Sequence, residues 1–81
     1  MGDERYQAIL ELIKYQNIEF EKLAEYCGLS PEGTKVLDHY VGTGGKFPIS
    51  IPEISCITRL PRDRIKKILD GVIQTLRKKM G

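Results

Sequence analysis

Arg62, Asp63, Arg64, Lys66 and Lys67 place five charged side chains, four of them basic, in six consecutive positions. Arginine offers a planar fork of donors that fits the edge of a guanine or a phosphate, and lysine offers a compact point charge suited to phosphate. A second basic run, Arg77-Lys78-Lys79, lies near the end of the chain. Groups of this kind hold polyanions. Catalysis needs a nucleophile, a base and an orienting group in company, and the one histidine, His39, has none beside it in sequence. Next to Tyr40, it reads as a solvated or half-buried helix residue. Gly42 to Lys46 has the glycines of a phosphate loop, but G-x-x-x-x-G-K-[ST] is not met and Phe47 stands where a magnesium-binding hydroxyl belongs. Cys27 and Cys56 sit within helical apolar patterns without histidines at ligand spacing, and are expected as buried free thiols. No enzyme activity, metal or cofactor is expected.

Charge is divided unevenly along the chain. Residues 1–38 carry eight acids against four bases, residues 39–58 balance, and residues 59–81 carry eight bases against Asp63 and Asp70. A net charge of +2 therefore hides an acidic half at −4 and a basic end at +6, and a polyanion would be drawn to that end. Eighty-one residues allow one small domain, and 41% hydrophobic with 30% charged residues is the composition of a folded globular chain. No apolar run approaches a membrane span and the N-terminus lacks the order of a signal peptide, so a cytoplasmic protein without membrane association is expected.

The elements that must position the basic groups follow from periodicity and punctuation. Tyr6, Ile9, Leu10 and Ile13 form one helical stripe over residues 3–15. Asn17 can cap a second helix with Phe20, Leu23, Ala24 and Cys27 inward, and Gly28 can end it in a left-handed conformation. Ser30-Pro31 opens a third helix that carries Val36, Leu37, Tyr40 and Val41 inward until Gly42. The glycine-rich stretch after it is a loop.

Residues 51–69, IPEISCITRLPRDRIKKIL, then read as two helices joined by a tight turn between Arg59 and Pro61. Ser50-Ile51-Pro52-Glu53 is a capping box in sequence. From Pro61 the stripe Ile65, Ile68, Leu69, Val72, Ile73, Leu76 and Met80 predicts a last helix of about 18 residues. Gly71 in its middle costs ~1 kcal/mol of helix propensity, which a close approach of another helix would explain. The expected core is Leu23, Val36, Leu37, Ile54, Ile57, Ile65, Ile68 and Val72.

The predicted fold is all-α: one domain over residues 1–81, a five-helix orthogonal bundle containing a C-terminal helix-turn-helix with a long last helix. Residues 1–28 support the rest. A second helix-turn-helix spacing spans residues 20–41, but its expected outer face of Glu32, Gly33, Lys35 and Asp38 would repel phosphates, so it is read as scaffold or partner surface. A winged helix, with residues 46–51 as a short first strand, is the alternative, though the long last helix leaves no residues for a wing.

Over residues 29–80 the order of signals resembles region 4 of bacterial sigma factors: the Leu-Ser-Pro start at 29–31, an apolar helix ending in Gly42, the glycine-rich loop, Ile51-Pro52-Glu53-Ile54, then Arg62-Asp63-Arg64-Ile65 and the closing Leu76-Arg77-Lys78-Lys79. Arg59 stands at the usual turn glycine and Pro61 at the usual serine cap. The resemblance implies a domain that reads a promoter with its second helix and meets RNA polymerase. Carried over by position, Arg62, Asp63, Lys66 and Lys67 would face bases or nearby phosphates; Arg64, Arg77 and Lys78 are expected, as basic groups, to contact phosphates. Eighty-one residues leave no room for the other sigma regions, so the expectation is a small transcription regulator binding double-stranded DNA with sequence preference. One short recognition helix binds weakly, which points to a homodimer or a polymerase complex. The competing expectation is a helical protein-interaction module that docks on a transcription or replication complex through its acidic helices without reading DNA.

Overall fold

Ile9 and Ile13, one helical turn apart, carry the buried side of helix α1, Glu4–Gln16. The computed structural model describes residues 4–80, apart from the side chain of Met80. Asp3, expected to open the first helix, and the Met80 side chain, expected on the last stripe, lie outside the described residues.

Asn17 ends α1 and does not cap a second helix. Its φ of 57° is left-handed, its amide donates to the Lys14 carbonyl at 3.3 Å, and the Ile18 amide donates to Ile13 at 3.1 Å. These are the paired bonds of a Schellman motif, and asparagine tolerates the left-handed conformation better than most residues. A 3₁₀ turn, Phe20–Lys22, then leads into a single-turn α2, Leu23–Tyr26. The break in helical phase leaves Leu23 buried and turns Phe20, expected inward, 41% exposed. Gly28 closes α2 in a left-handed conformation with the same pair of bonds, from Gly28 to Glu25 and from Leu29 to Ala24.

Helix α3, Pro31–Val41, is punctuated as its sequence predicts. The Ser30 hydroxyl accepts from the Gly33 amide at 3.3 Å, Pro31 fills the first turn, and Gly42 at φ 77° ends the helix. Gly33 itself faces inward: a Cβ there would sit 3.4 Å from the Cβ of Leu29, so the outward position expected for it is corrected. Beyond Gly42 the Lys46 amide donates to Thr43 across Gly44 and Gly45, both at positive φ. That is the type I′ turn such a glycine pair favours.

Helix α4, Ile51–Thr58, starts after Ser50 as expected, but the Ser50 side chain makes no capping bond, so the capping box is not formed. Helix α5, Arg62–Met80, has 19 residues, roughly 28 Å at the usual rise. It is the floor on which α1 chiefly packs, and α4 and α3 cover its first half. Ile9, Leu23, Val36, Leu37, Ile54, Ile65, Leu69, Val72 and Leu76 are fully buried in one continuous core. Each such side chain contributes roughly 1.5–3 kcal/mol on leaving water. Arg5 pairs with Asp70 at 2.8 Å and the Gln16 amide donates to the Leu76 carbonyl at 2.8 Å, clipping both ends of α1 to α5.

Four expected placements differ. Ile57 is 58% exposed, and Ile68 only half-buried. Cys56 is exposed and Cys27 half-buried, both free thiols; burial pushes the Cys27 thiol up from its ordinary value, and the nearby charge of Lys79 offsets part of that. No strand occurs among the described residues, which removes the winged-helix alternative, and none of their helices is long and apolar enough to cross a membrane.

Gly71 meets nothing within 4 Å of where its Cβ would be, so no helix approaches there. Gly71→Ala is therefore expected to stabilise the domain by about 0.5–1 kcal/mol, seen as a rise of a few degrees in Tm by thermal unfolding.

Candidate nucleic-acid interface

Ile65, Leu69, Val72 and Leu76 fix the rotation of α5 by entering the core. At about 100° per residue this sends Arg62, Lys66 and Arg77 to one flank of the helix and Lys67 and Lys78 outward. All five are exposed, and none is paired with an acid among the described residues. Lys67 and Lys78, eleven residues apart, lie on one line after three turns. Asp63 is exposed on the same side.

The turn that presents this helix is held by side chains of α4. Arg59 adopts the left-handed conformation, φ 64° and ψ 23°, that a glycine would take there. Its amide donates to Ser55 at 2.8 Å, the Ser55 hydroxyl donates to the Leu60 carbonyl at 2.6 Å, and the Thr58 hydroxyl donates to Ile54 at 2.7 Å. The Pro61 carbonyl then accepts from the Arg64 and Ile65 amides, so Pro61 stands at the cap position of α5. Serine and threonine thus close a turn that lacks both its glycine and a capping hydroxyl.

Two of the expected basic groups are engaged within the molecule. Arg64 forms a two-pronged pair with Glu32 on α3, Nε to Oε2 and a terminal nitrogen to Oε1 at 3.1 Å. That hydrogen bond, more than the charge itself, lowers the Glu32 carboxyl and raises the Arg64 guanidinium from their ordinary values. A lowered carboxyl stabilises the fold above its unfolded value, and the effect disappears only as pH falls below the usual carboxylate range. Both groups are therefore charged at neutral pH. Lys79 lies over the Tyr26 ring, 4.9 Å from its centre, and is not a side chain available to phosphate alone.

In comparisons with protein-family models, curated proteins and solved structures, the chain matches none. The site is therefore read from its own geometry. Arg62 and Lys66 form one wall of a groove of ≈ 590 Å³ whose other sides come from Arg5 and Tyr6 on α1, Tyr40 on α3 and the segment 48–52. Tyr6 and Tyr40 meet edge to face at 5.7 Å. Sequence reasoning missed Arg5 and Tyr6, because nothing local in a first helix of balanced charge marks the point where it crosses the start of the last. Arg77 lies beside Ala8, Glu11, Leu12 and Tyr15 of α1, and Lys78 beside Gly71 and Gln74. His39 is half-buried, its carbonyl accepting from Ile49 at 3.1 Å.

Roughly 22 Å of helix separates Arg62 from Arg77. One duplex can touch both ends only if α5 lies along the groove, not if it enters by its tip. Glu32 withholds Arg64 from this surface by pairing with it. If this surface holds a duplex, Glu32→Gln should tighten the binding several-fold and steepen its salt dependence by nearly one phosphate's worth. Fluorescence anisotropy against salt checks this. The pair is exposed, so Tm should hardly move.

Proposed function

We propose that this domain binds double-stranded DNA with sequence preference, laying the outward side of α5 along the major groove as a small transcription regulator. What carries the reading is the set Arg62, Lys66, Lys67, Arg77 and Lys78, exposed on one side of the second helix of a rigidly turned pair, and without acid partners among the described residues. The positive N-terminal half-charge of α5 adds to their attraction for phosphate. Arg62 and Lys66 reach bases or adjacent phosphates, Asp63 accepts from a cytosine amino group, and Lys67, Arg77 and Lys78 neutralise the backbone. Arg64 joins the phosphate contacts when Glu32 releases it. The order of residues shared with sigma region 4 supports promoter DNA as the duplex and RNA polymerase as the assembly in which a weak monomeric contact suffices; a second copy on an adjacent half-site would serve the same end.

Arg62→Ala removes a fork able to pair with guanine and is expected to cost ~1–3 kcal/mol on the preferred duplex, with lost preference at one base position. Lys78→Ala should weaken preferred and random duplexes alike and reduce the salt slope by about 0.9. Anisotropy titrations with both duplexes at several salt concentrations separate these outcomes. Equal behaviour of the two variants would remove base reading from the proposal. Phe47, 87% exposed, and Ile57 favour a second reading, a module docking on a transcription or replication protein, whose affinity would depend on salt only weakly.

A further inference from the structure

The groove between α1, α3 and the start of α5 has the composition of a peptide site. Its accessible apolar lining comes from Tyr6, Pro48 and Ile49, with Tyr40 and Ile51 almost closed off at 3% and 6% exposure, and its rim carries Arg62 and Lys66. Arg5 adds a third cation, held in place by Asp70. We propose that this groove docks an acidic segment of a partner protein, which seats one aromatic or leucine side chain against Pro48, Ile49 and the edge of Tyr6 and sets its carboxylates against Arg62 and Lys66. Charge complementarity selects an acidic partner, since Arg62 and Lys66 have no acid partner among the described residues. The openness of the rim selects a chain segment over a small molecule: Pro52, Arg62 and Lys66 are all exposed, and a small ligand seated there would miss the burial of roughly 70–90% of its surface that such sites give. A duplex can meet the rim but is too broad to reach the apolar lining.

The docked segment would take Arg62 and Lys66 away from DNA, so partner and duplex compete. That consequence alone rests on the DNA-binding reading; docking itself does not.

The test uses the full chain and a fluorescein-labelled peptide of Asp and Glu carrying one Phe, with the same peptide bearing Ser for Phe as its control. Binding should shift the amide resonances of Tyr40, Ile49 and Ile51, and the Ser peptide should bind at least about tenfold more weakly. Pro52→Asp adds a negative charge at the rim, in a first helical turn where an acid favours the helix, and should weaken the Phe peptide about tenfold while Lys35→Asp on α3 does not. Equal binding of both peptides, shifts confined to lysines elsewhere, or no binding would each overturn the docking site. Duplex DNA shifting Tyr40 and Ile51 while the peptide leaves them still would overturn it in favour of nucleic acid. Peptide binding intact with no duplex binding would instead fail the DNA reading and leave the groove standing.

Discussion

Ile65→Ala is expected to destabilise the domain by ~2–5 kcal/mol, against the 5–15 kcal/mol that a whole domain typically possesses. Ile65 is fully buried in the first turn of α5, in the core that also holds Ile54, Val36 and Leu37. Truncation leaves a cavity where the last helix is anchored beneath its basic residues, and neighbours on three rigid helices can collapse into it only in part. For a domain of this size each kcal/mol moves Tm by about 4–8 °C, so the midpoint should fall by at least about 8 °C. Urea unfolding at an unchanged m-value would assign the loss to the folded state. Ile68→Ala, at a half-buried position on the flank, should cost distinctly less, and equal costs would mean that α5 is rotated from the arrangement described.

Gly42→Ala should cost ~3 kcal/mol or more, which is exceptional for the addition of one methyl group. Two penalties add. The residue sits at φ 77°, where a side chain costs roughly 1–2 kcal/mol, and its Cβ would come within 2.6 Å of the Lys46 carbonyl oxygen and 2.8 Å of the Pro48 nitrogen. Both are backbone atoms of the segment that leads into α4, so relief of the clash must displace Pro48 and with it the start of the helix pair. Gly44→Ala separates the penalties: its φ is also positive, at 65°, but nothing lies within 4 Å of its Cβ, so it should pay only the conformational part. The difference between the two variants, read from chemical denaturation, measures the clash.

Where a residue's role is decided by its immediate neighbours, the sequence was legible. Ser30, Pro31 and Gly42 mark both ends of α3, and the stripe from Ile65 to Leu76 predicts a last helix within a residue of the one observed. Asn17 shows the limit, since the same short amide suits a helix start and a left-handed helix end, and only the packing of Ile18 and Leu23 behind it selects the second. Ile57 fails for another reason. In a helix of eight residues Ile51 and Ile57 lie about 60° to either side of Ile54, and which flank is covered depends on where α3 and α5 lie, so Ile51 is buried and Ile57 is not. The candidate site divides in the same way. The basic residues of α5 and their outward direction follow from its stripe, whereas the capture of Arg64 by Glu32, 32 positions away, and the arrival of Arg5 and Tyr6 beside Arg62 are products of the tertiary fold.

The packing of the first helix on the last bears on how the molecule comes into being. The clips that hold α1 join residues 65 and 60 positions apart in the chain, so the main helix interface cannot form until Asp70 and Leu76 have been made. At ribosomal speeds of roughly 5–20 residues per second, α1 waits on the order of 3–12 s with Ile9 and Ile13 uncovered. Contacts this distant raise the entropy of closing the chain and slow a helical fold that would otherwise form in microseconds to milliseconds. A permuted chain that joined the two ends and opened the Gly44-Gly45 turn would make α1 and α5 neighbours in sequence, and should fold faster while keeping the same core.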